Sequence, residues 1–271
     1  MREVVLGAEP RRLGNAVVEA VDHKDLLELL VRRDLSLVYR QTALGIVWAV
    51  LRPLAAMAVL TLVFGRLAGM ESDGAPYVLF SYAAVVPWTY FASAVQSSSM
   101  SLVNSAHVMT KVYFPRLLLP LTPVLAQLVD LVVALALLGV LLLFFPVSPN
   151  WGVVFLPLLV LILVATALGL GLWLSALAVQ YRDIKHVVPV LLQLLLFVAP
   201  VVWPVSLVTN TFGTAGRLVY ALFPVAGVIE GFRSALLGTV PMPWDMLSIG
   251  AVSAFLLLLS GTWFFLRREP I

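Results

Sequence analysis

The chain has 271 residues, of which 62% are hydrophobic and 11% are charged, and its formal net charge at pH 7 is +3. The mean hydropathy is +1.04, whereas a soluble domain carries about 25% charged residues. This composition cannot cover a surface that faces water, so the apolar excess must face lipid. A separate soluble domain is excluded, and nucleic acid is not an expected partner.

Several kinds of chemistry are excluded by missing residues. The chain has no cysteine, which excludes disulfides and cysteine nucleophiles. Its three histidines, His23, His107 and His186, are far apart and belong to no metal-ligand motif. No glycine is followed by lysine, so the phosphate-binding loop of ATPases is missing. We therefore expect no catalytic residue, metal or cofactor in this chain.

The first 45 residues are charged and amphipathic. Residues 1–22 lack the apolar core of a signal peptide, which predicts a cytoplasmic tail. Residues 23–40 place leucines and valines on one helical face, which predicts a helix on the membrane surface followed by a turn that ends at 45. Asp34 lies in the middle of this apolar face. It requires a cationic or N–H partner, unless the helix tilts and leaves the carboxylate in water.

A transmembrane domain is predicted over 46–271, because a helix needs about 20 apolar residues to cross a bilayer. Six such runs are present, at 46–65, 77–99, 117–145, 153–179, 187–208 and 246–266. Most of the 17 lysines and arginines lie before the first run and in alternate connections, which predicts that both termini are cytoplasmic. On span four, Ala167, Gly171 and Ser175 form a ridge of small residues that indicates close helix packing.

The segment 210–241 is too apolar for a loop and too interrupted for a span. It predicts two short re-entrant helices that pack against protein. Glu230 and Arg233 are three residues apart on the second of them, so their side chains can form an ion pair.

Span two combines rings with hydroxyl groups, and such side chains either bond neighbouring helices or line a polar path. Aromatic faces in that path would suit sugars, while an interfacial aromatic belt explains the tryptophans equally well. The candidate channel-lining residues are Trp88, Tyr90, Phe91, Gln96, Ser97 and Ser101, with Trp203 on span five. On span three, Gln127 and Asp130 are expected to face the bundle interior, most simply as packing contacts.

Several motifs resemble one family. LLELLVRRDLSLVYRQTALGIVWAVLRPL (26–54), PYVLFSYAAVVPWTYF (76–91), KVYFPRLLLPL (111–121), VQYRDIKHVVPVLLQ (179–193) and IEGFR (229–233) occur in this order. Together they resemble the type-2 ABC exporter permeases that move O-antigen polysaccharide and teichoic acid. One departure is Phe223–Pro224, where the family usually has Asn-Pro, and it concerns the capping of the outer re-entrant helix.

The resemblance implies a homodimer in the bacterial inner membrane, in which two cytoplasmic ATPase subunits bind ATP and Mg²⁺. The implied substrate is a glycan linked to polyprenyl pyrophosphate. Residues implied to couple to the ATPase are Asp34, Lys111, Arg116, Arg182, Asp183 and Lys185. Residues implied to hold the lipid head at the channel mouth are Arg40, Leu44, Gly45 and Arg52, although the arginines could equally extend to membrane phosphates.

Three alternatives remain open from the sequence. A teichoic acid exporter permease or a drug or small-lipid exporter of the same superfamily would share the fold. An intramembrane glycosyltransferase or acyltransferase would need a cluster of catalytic carboxylates or histidines, which the sequence does not show.

Overall fold

The computed structural model describes residues 22–40, 45, 47–105 and 115–268. Within these ranges the chain forms helices and no strand, as the all-α expectation requires. In chain order the α-helices are α1 Lys24–Arg40, α2 Val47–Leu60, α3 Tyr77–Ser99, α4 Ser101–Asn104, α5 Leu118–Leu142, α6 Leu156–Gln180, α7 Ile184–Val198, α8 Val205–Tyr220, α9 Pro224–Leu237 and α10 Trp244–Arg268. A π-helix, Thr61–Leu67, continues α2, and a 3-10 helix, Trp151–Phe155, precedes α6.

Five described helices are long and apolar enough to cross a membrane. They are Val47–Leu67, Tyr77–Ser99, Leu118–Leu142, Trp151–Gln180 and Trp244–Arg268. Each lies within a few residues of the predicted first, second, third, fourth or sixth span. Long apolar helices are thus present at five of the six predicted spans, and a helix, α1, is present in the stretch predicted to lie on the membrane surface.

The predicted fifth span, 187–208, is not a single helix. Helix α7 has 15 residues, which is about 22 Å of helix against a hydrocarbon core of about 30 Å. It ends because Ala199 precedes Pro200 and adopts extended backbone with ψ 148°, as residues before proline do. The chain then passes through 199–204 without helix and begins α8 at Val205. Hydrophobicity continues through this break, which is why the sequence predicted one uninterrupted span.

The re-entrant pair predicted over 210–241 is present as α8 and α9, although α8 begins earlier, at Val205. The two helices are bent by 112° relative to each other. Helix α9 begins at Pro224 without a side-chain cap from Phe223, and Phe223 packs against Phe91 instead. It ends at Gly238, whose φ of 65° favours glycine. Two helices joined by a sharp bend are therefore present where the re-entrant pair was predicted.

The core of the bundle surrounds α3. In the most apolar stretch of α3, about 78% of the residues are buried. In that of the first span, which α2 and the π-helix form together, only 6% are buried. Helices α5, α6 and α9 pack around α3, and α10 packs mainly on α6. Three hydroxyl groups of α3 donate to α5 carbonyls: Tyr82 to Ala134 at 3.3 Å, Tyr90 to Val124 at 3.1 Å and Ser98 to Pro120 at 2.9 Å. These bonds fix the position of α3 against α5.

Small residues allow α6 to approach its neighbours closely. Ala167, Gly171 and Ser175 are all buried, and a Cβ on Gly171 would clash with Ser98 Oγ. The predicted packing ridge is therefore confirmed, with α3 as its partner. A second close approach joins α6 to α10, where a Cβ on Gly261 would clash with the carbonyl oxygen of Gly169.

We expect Gly261→Ala to destabilise the protein, because the added methyl meets backbone that cannot move aside. Overpacking of this kind costs about 1–3 kcal/mol. Gly139→Ala on α5 is the matched control, since a Cβ there meets nothing within 4 Å and alanine is favoured over glycine in a helix by about 0.5–1 kcal/mol. Thermal unfolding of the two purified variants, followed by tryptophan fluorescence, measures the difference. Equal melting temperatures would show that α6 and α10 can separate at no cost.

Candidate functional site

A cavity of about 520 Å³ lies beneath α1 at the end of the bundle where α3 finishes and α5 begins. We call this end the α1 end. The polar residues of its wall come from α1, α3, α4 and α5. They are Arg33, Asp34, Ser97, Ser101, Asn104, Ser105, Thr122, Gln127 and Asp130. Such a wall provides hydroxyl and amide groups that both donate and accept hydrogen bonds.

A second cavity of about 140 Å³ lies deeper along the same helices, between α2, α3 and α5. Its polar residues are Arg52, Thr89, Tyr90, Ser93, Gln127 and Asp130. Gln127 and Asp130 line both cavities, so the two spaces adjoin along α5. We refer to the two together as the polar groove.

Two predicted channel residues meet in the wider part of the groove. Ser97 is exposed, whereas Ser101 is only 8% exposed and its hydroxyl group has no hydrogen-bond partner. A buried hydroxyl without a partner is unusual in proteins. Tyr90 lines the narrower part but is 2% exposed, because its hydroxyl donates to Val124 O.

The other aromatic residues predicted to line the channel do not face the groove. Phe91 has no exposed surface and packs between Trp88 and Phe223, with ring centroids 5.6 and 6.4 Å away. Phe91 is therefore enclosed by protein in this arrangement, and its role in lining a channel stays a prediction. Its face of α3 is covered by the re-entrant segment, which the sequence could not place there. Trp203 lies in the break before α8, and Gln96 is exposed outside the groove.

Cysteine labelling separates the two faces of α3. We expect a single Ser97→Cys to react with a water-soluble maleimide, because Ser97 is exposed and lines the groove. Phe91→Cys is the matched control on the packed face and should react at least about tenfold more slowly, since reaction requires an opening of the core. The native chain has no cysteine to confuse the measurement. Comparable labelling rates would show that α3 presents its faces differently in the membrane.

The predicted coupling residues lie on the surface at the α1 end. Arg182 and Asp183 form the short turn between α6 and α7, Lys185 follows on the first turn of α7, and all three are exposed. Arg116, before α5, is exposed as well. Lys111 lies outside the described residues. The arrangement leaves these side chains accessible, and their role stays a prediction.

Asp34 has the cationic partner that its position required. Its Oδ1 accepts a hydrogen bond from Arg33 Nη2 at 3.0 Å, and its side chain is 29% exposed. The first alternative left open by the sequence, a cationic partner, is therefore met, and Asp34 also borders the cavity beneath α1. Within this pair the two opposite charges offset each other at the α1 side of the groove.

The lipid-head residues are described only in part. Leu44 and the side chain of Arg40 lie outside the described residues. Gly45 has a φ of 49°, a left-handed conformation that suits the predicted turn. The guanidinium of Arg52 is 5.9 Å from the ring centroid of Trp48, one turn earlier on α2, and Arg52 borders the groove. Its proximity to Gln127 and Asp130 was not predicted.

At the opposite end of the bundle, the predicted pair of Glu230 and Arg233 is confirmed. Arg233 Nη1 donates to Glu230 Oε2 at 3.5 Å, and both residues are buried. The guanidinium also donates to the carbonyl groups of Val201 at 3.1 Å and Trp203 at 3.3 Å, in the break between α7 and α8. It lies 3.4 Å from the ring centroid of Phe80 on α3. Arg233 thus joins the re-entrant segment, the break and α3.

Comparison with known proteins agrees with this architecture. Residues 25–237 match the family described as ABC-2 type transporter. The chain belongs to the ABC-2 type transporter family. The region that matches the ABC-2 family extends from α1 to α9 and includes the groove and the re-entrant pair.

Relatives of this ABC-2 protein have names that specify a substrate. The chain is 31% identical to the O-antigen export system permease protein RfbA of Myxococcus xanthus, over 93% of this chain and 96% of the relative. Two permeases with the same name from Klebsiella pneumoniae are 22% and 23% identical, each over 88% of this chain and 89% of the relative. The similarity therefore extends along almost the whole length of the membrane domain.

Proposed function

We propose that this ABC-2 protein is the membrane permease of an ATP-driven exporter that moves lipid-linked, O-antigen-like polysaccharide out of the cytoplasm. The observation that carries the proposal is the 31% identity to an O-antigen export permease over 93% of the chain. A permease of this family requires an ATPase subunit, and two copies of that subunit supply the ATP and Mg²⁺ chemistry. Transport by this chain alone is not expected.

Charge and packing support a particular arrangement in the inner membrane. The basic and exposed turn at Arg182–Lys185 lies at the same end as α1, which fits a cytoplasmic face that binds the ATPase. Only 6% of the residues in the most apolar stretch of the first span, which α2 and the π-helix form, are buried within the chain. A second copy of the chain covers part of such a surface, and lipid covers the rest. The proposed assembly is a homodimer with both termini in the cytoplasm.

The experiment that tests the function is export by purified components. Full-length permease and its ATPase subunit are reconstituted into liposomes with polyprenyl-pyrophosphate-linked glycan in the outer leaflet, which stands for the cytoplasmic leaflet. ATP should move the glycan into the lumen, where added glycosidase cannot reach it. Glycan that stays equally accessible with and without ATP would contradict the proposal, provided that a second, unrelated exporter works in the same liposomes.

Within this function, Arg52 is proposed to bind the pyrophosphate of the lipid carrier. A guanidinium can bind phosphate oxygens through two hydrogen bonds, and loss of a charged hydrogen bond costs about 1.5–3 kcal/mol. Arg52→Ala should therefore lower export at limiting substrate by roughly tenfold or more. Arg66→Ala is the control, because Arg66 is an exposed arginine at the other end of the same span. Equal export by the two variants at equal expression would remove Arg52 from the mechanism.

A further inference from the structure

A row of hydroxyl side chains runs along one side of the polar groove. Thr89, Ser93, Ser97, Ser101 and Ser105 are spaced every four residues, and each of them lines one of the two cavities. The first three residues lie on α3, Ser101 begins α4 and Ser105 directly follows α4. At the rise of a helix this stretch would extend about 24 Å, so the row covers most of the half of the bundle that ends beneath α1. Only Ser97 and Ser101 were predicted from the sequence, because the groove that the other three share with them is formed by the fold.

Polar groups on α5 face this row across the groove. Gln127 and Asp130 line both cavities. The amide of Gln127 donates and accepts hydrogen bonds, and the carboxylate of Asp130 accepts them. At the narrow end, the groove is bordered by the indole of Trp48 on α2. An aromatic ring beside amide, carboxylate and hydroxyl groups combines an apolar face with polar edges.

The charges on the described residues of the groove wall balance. Arg33 and Arg52 carry two positive charges, and Asp34 and Asp130 carry two negative charges. The described part of the wall therefore carries no net charge, and attraction for an anion is confined to the arginine side chains themselves. The ligand class that matches this wall is a neutral molecule with many hydroxyl groups.

From these observations we propose that the polar groove of a single protomer binds the lipid-proximal sugars of the glycan before export. The proposal rests on the proposed function and specifies which part of the substrate the groove recognises. The hydroxyl row and Gln127 exchange hydrogen bonds with sugar hydroxyls, and Asp130 accepts from them. The unpartnered hydroxyl of Ser101 obtains its missing partner from the ligand. The pyrophosphate remains beside Arg52, at the α2 side of the groove.

The test is protection of a single cysteine from labelling, which does not depend on transport. Full-length Ser97→Cys permease in complex with its ATPase is treated with a water-soluble maleimide. The probes are the glycan released by mild acid from the host's own lipid-linked material, and inorganic pyrophosphate. We expect the released glycan to slow labelling and pyrophosphate to leave it unchanged.

Variants of the groove should weaken this protection. On the Ser97→Cys background, Gln127→Leu should raise the glycan concentration needed for half protection roughly tenfold, as expected for loss of one or two buried hydrogen bonds. Gln193→Leu is the matched control, because Gln193 is an exposed glutamine on α7 that does not border the groove. Ser101→Ala is a milder second variant and serves if Gln127→Leu fails to fold. Equal half-protecting concentrations in the folded groove variant and the control would overturn the assignment.

The remaining outcomes separate this inference from the proposed function. Protection by pyrophosphate and none by glycan would overturn the sugar site and identify a headgroup site. If the complex exports glycan in liposomes but the glycan never protects Ser97→Cys, the assignment of the groove as a sugar site is overturned, while the proposed export function is retained. Glycan protection in a complex that exports no glycan supports the groove and overturns the proposed function.

Discussion

Replacing Arg233 with methionine is expected to destabilise the protein strongly. The side chain is 2% exposed, and its removal leaves the Glu230 carboxylate buried without its cation. Breaking a buried ion pair from one side costs about 3–5 kcal/mol, and the carbonyls of Val201 and Trp203 lose donors as well. Since total stability is about 5–15 kcal/mol, much of the variant should fail to accumulate.

The control for this prediction is the exposed pair of Arg217 and Asp245, which joins α8 to α10. Arg217 Nε donates to Asp245 Oδ2 at 2.7 Å, but both side chains remain partly exposed. Pairs of this kind contribute about 0–1 kcal/mol. Arg217→Met should therefore melt close to wild type, while Arg233→Met should melt much lower or be recovered only as aggregate. Fluorescence-detected size exclusion after heating measures both variants, and similar profiles would show that the burial of Arg233 contributes little.

The contacts of Arg233 also mark the limit of what the sequence could predict. Its pairing with Glu230 followed from the spacing of three residues on a helix. Its other partners, Phe80 and the carbonyls of the 199–204 break, lie far away in the chain. No pattern in the sequence around Arg233 indicates these partners. They become necessary once the break exists, because carbonyl groups freed inside a membrane need donors from the protein.

The break itself illustrates why helix counting misplaced the fifth span. Hydropathy measures whether residues tolerate lipid, and the stretch between α7 and α8 contains no charged residue that would interrupt a predicted span. Pro200 and Pro204 lack amide hydrogens, so they end regular helix wherever tertiary contacts can satisfy the remaining carbonyls. Tyr77 donates to Val202 O at 2.7 Å and thereby provides one such contact. The prolines were visible in the sequence, whereas their tertiary partners were not.

The polar groove shows a similar division between what was and was not predictable. The polar character of span two and the interior position of Asp130 followed from composition. Which aromatic residues face the groove depends on the rotation of α3, which is fixed by its packing on α5 and α9. That rotation buries Phe91 and leaves the every-fourth-residue hydroxyl row facing the groove. The polar character of this helix was therefore visible in the sequence, whereas the burial of Phe91 depends on packing between helices that no local pattern indicates.

Reversing the charges of Arg182 and Asp183 together is expected to abolish export and substrate-stimulated ATP hydrolysis. The turn that holds them is short and connects the long helix α6 directly to α7. A load on this turn is therefore transmitted to α6, which is long and apolar enough to cross the membrane. Both side chains are exposed in the isolated chain, so the substitution should leave the fold of the permease intact. Its effect should appear only in the complex, where the proposed ATPase contact turns from attraction to repulsion.

The matched control reverses the charges of Arg217 and Asp245, another exposed ion pair, which lies at the opposite end of the bundle. This variant should export normally, because its surface is far from the proposed ATPase contact. Both variants are purified with the ATPase subunit, and ATP hydrolysis is measured with and without lipid-linked glycan. The Arg182→Glu, Asp183→Arg variant should lose the ATPase subunit on size exclusion or retain only unstimulated hydrolysis. If the variant binds the ATPase subunit and responds to glycan as the wild type does, the turn is only a solvent-exposed connector. The force from ATP hydrolysis must then enter the membrane domain elsewhere, and α1 is the next surface to test.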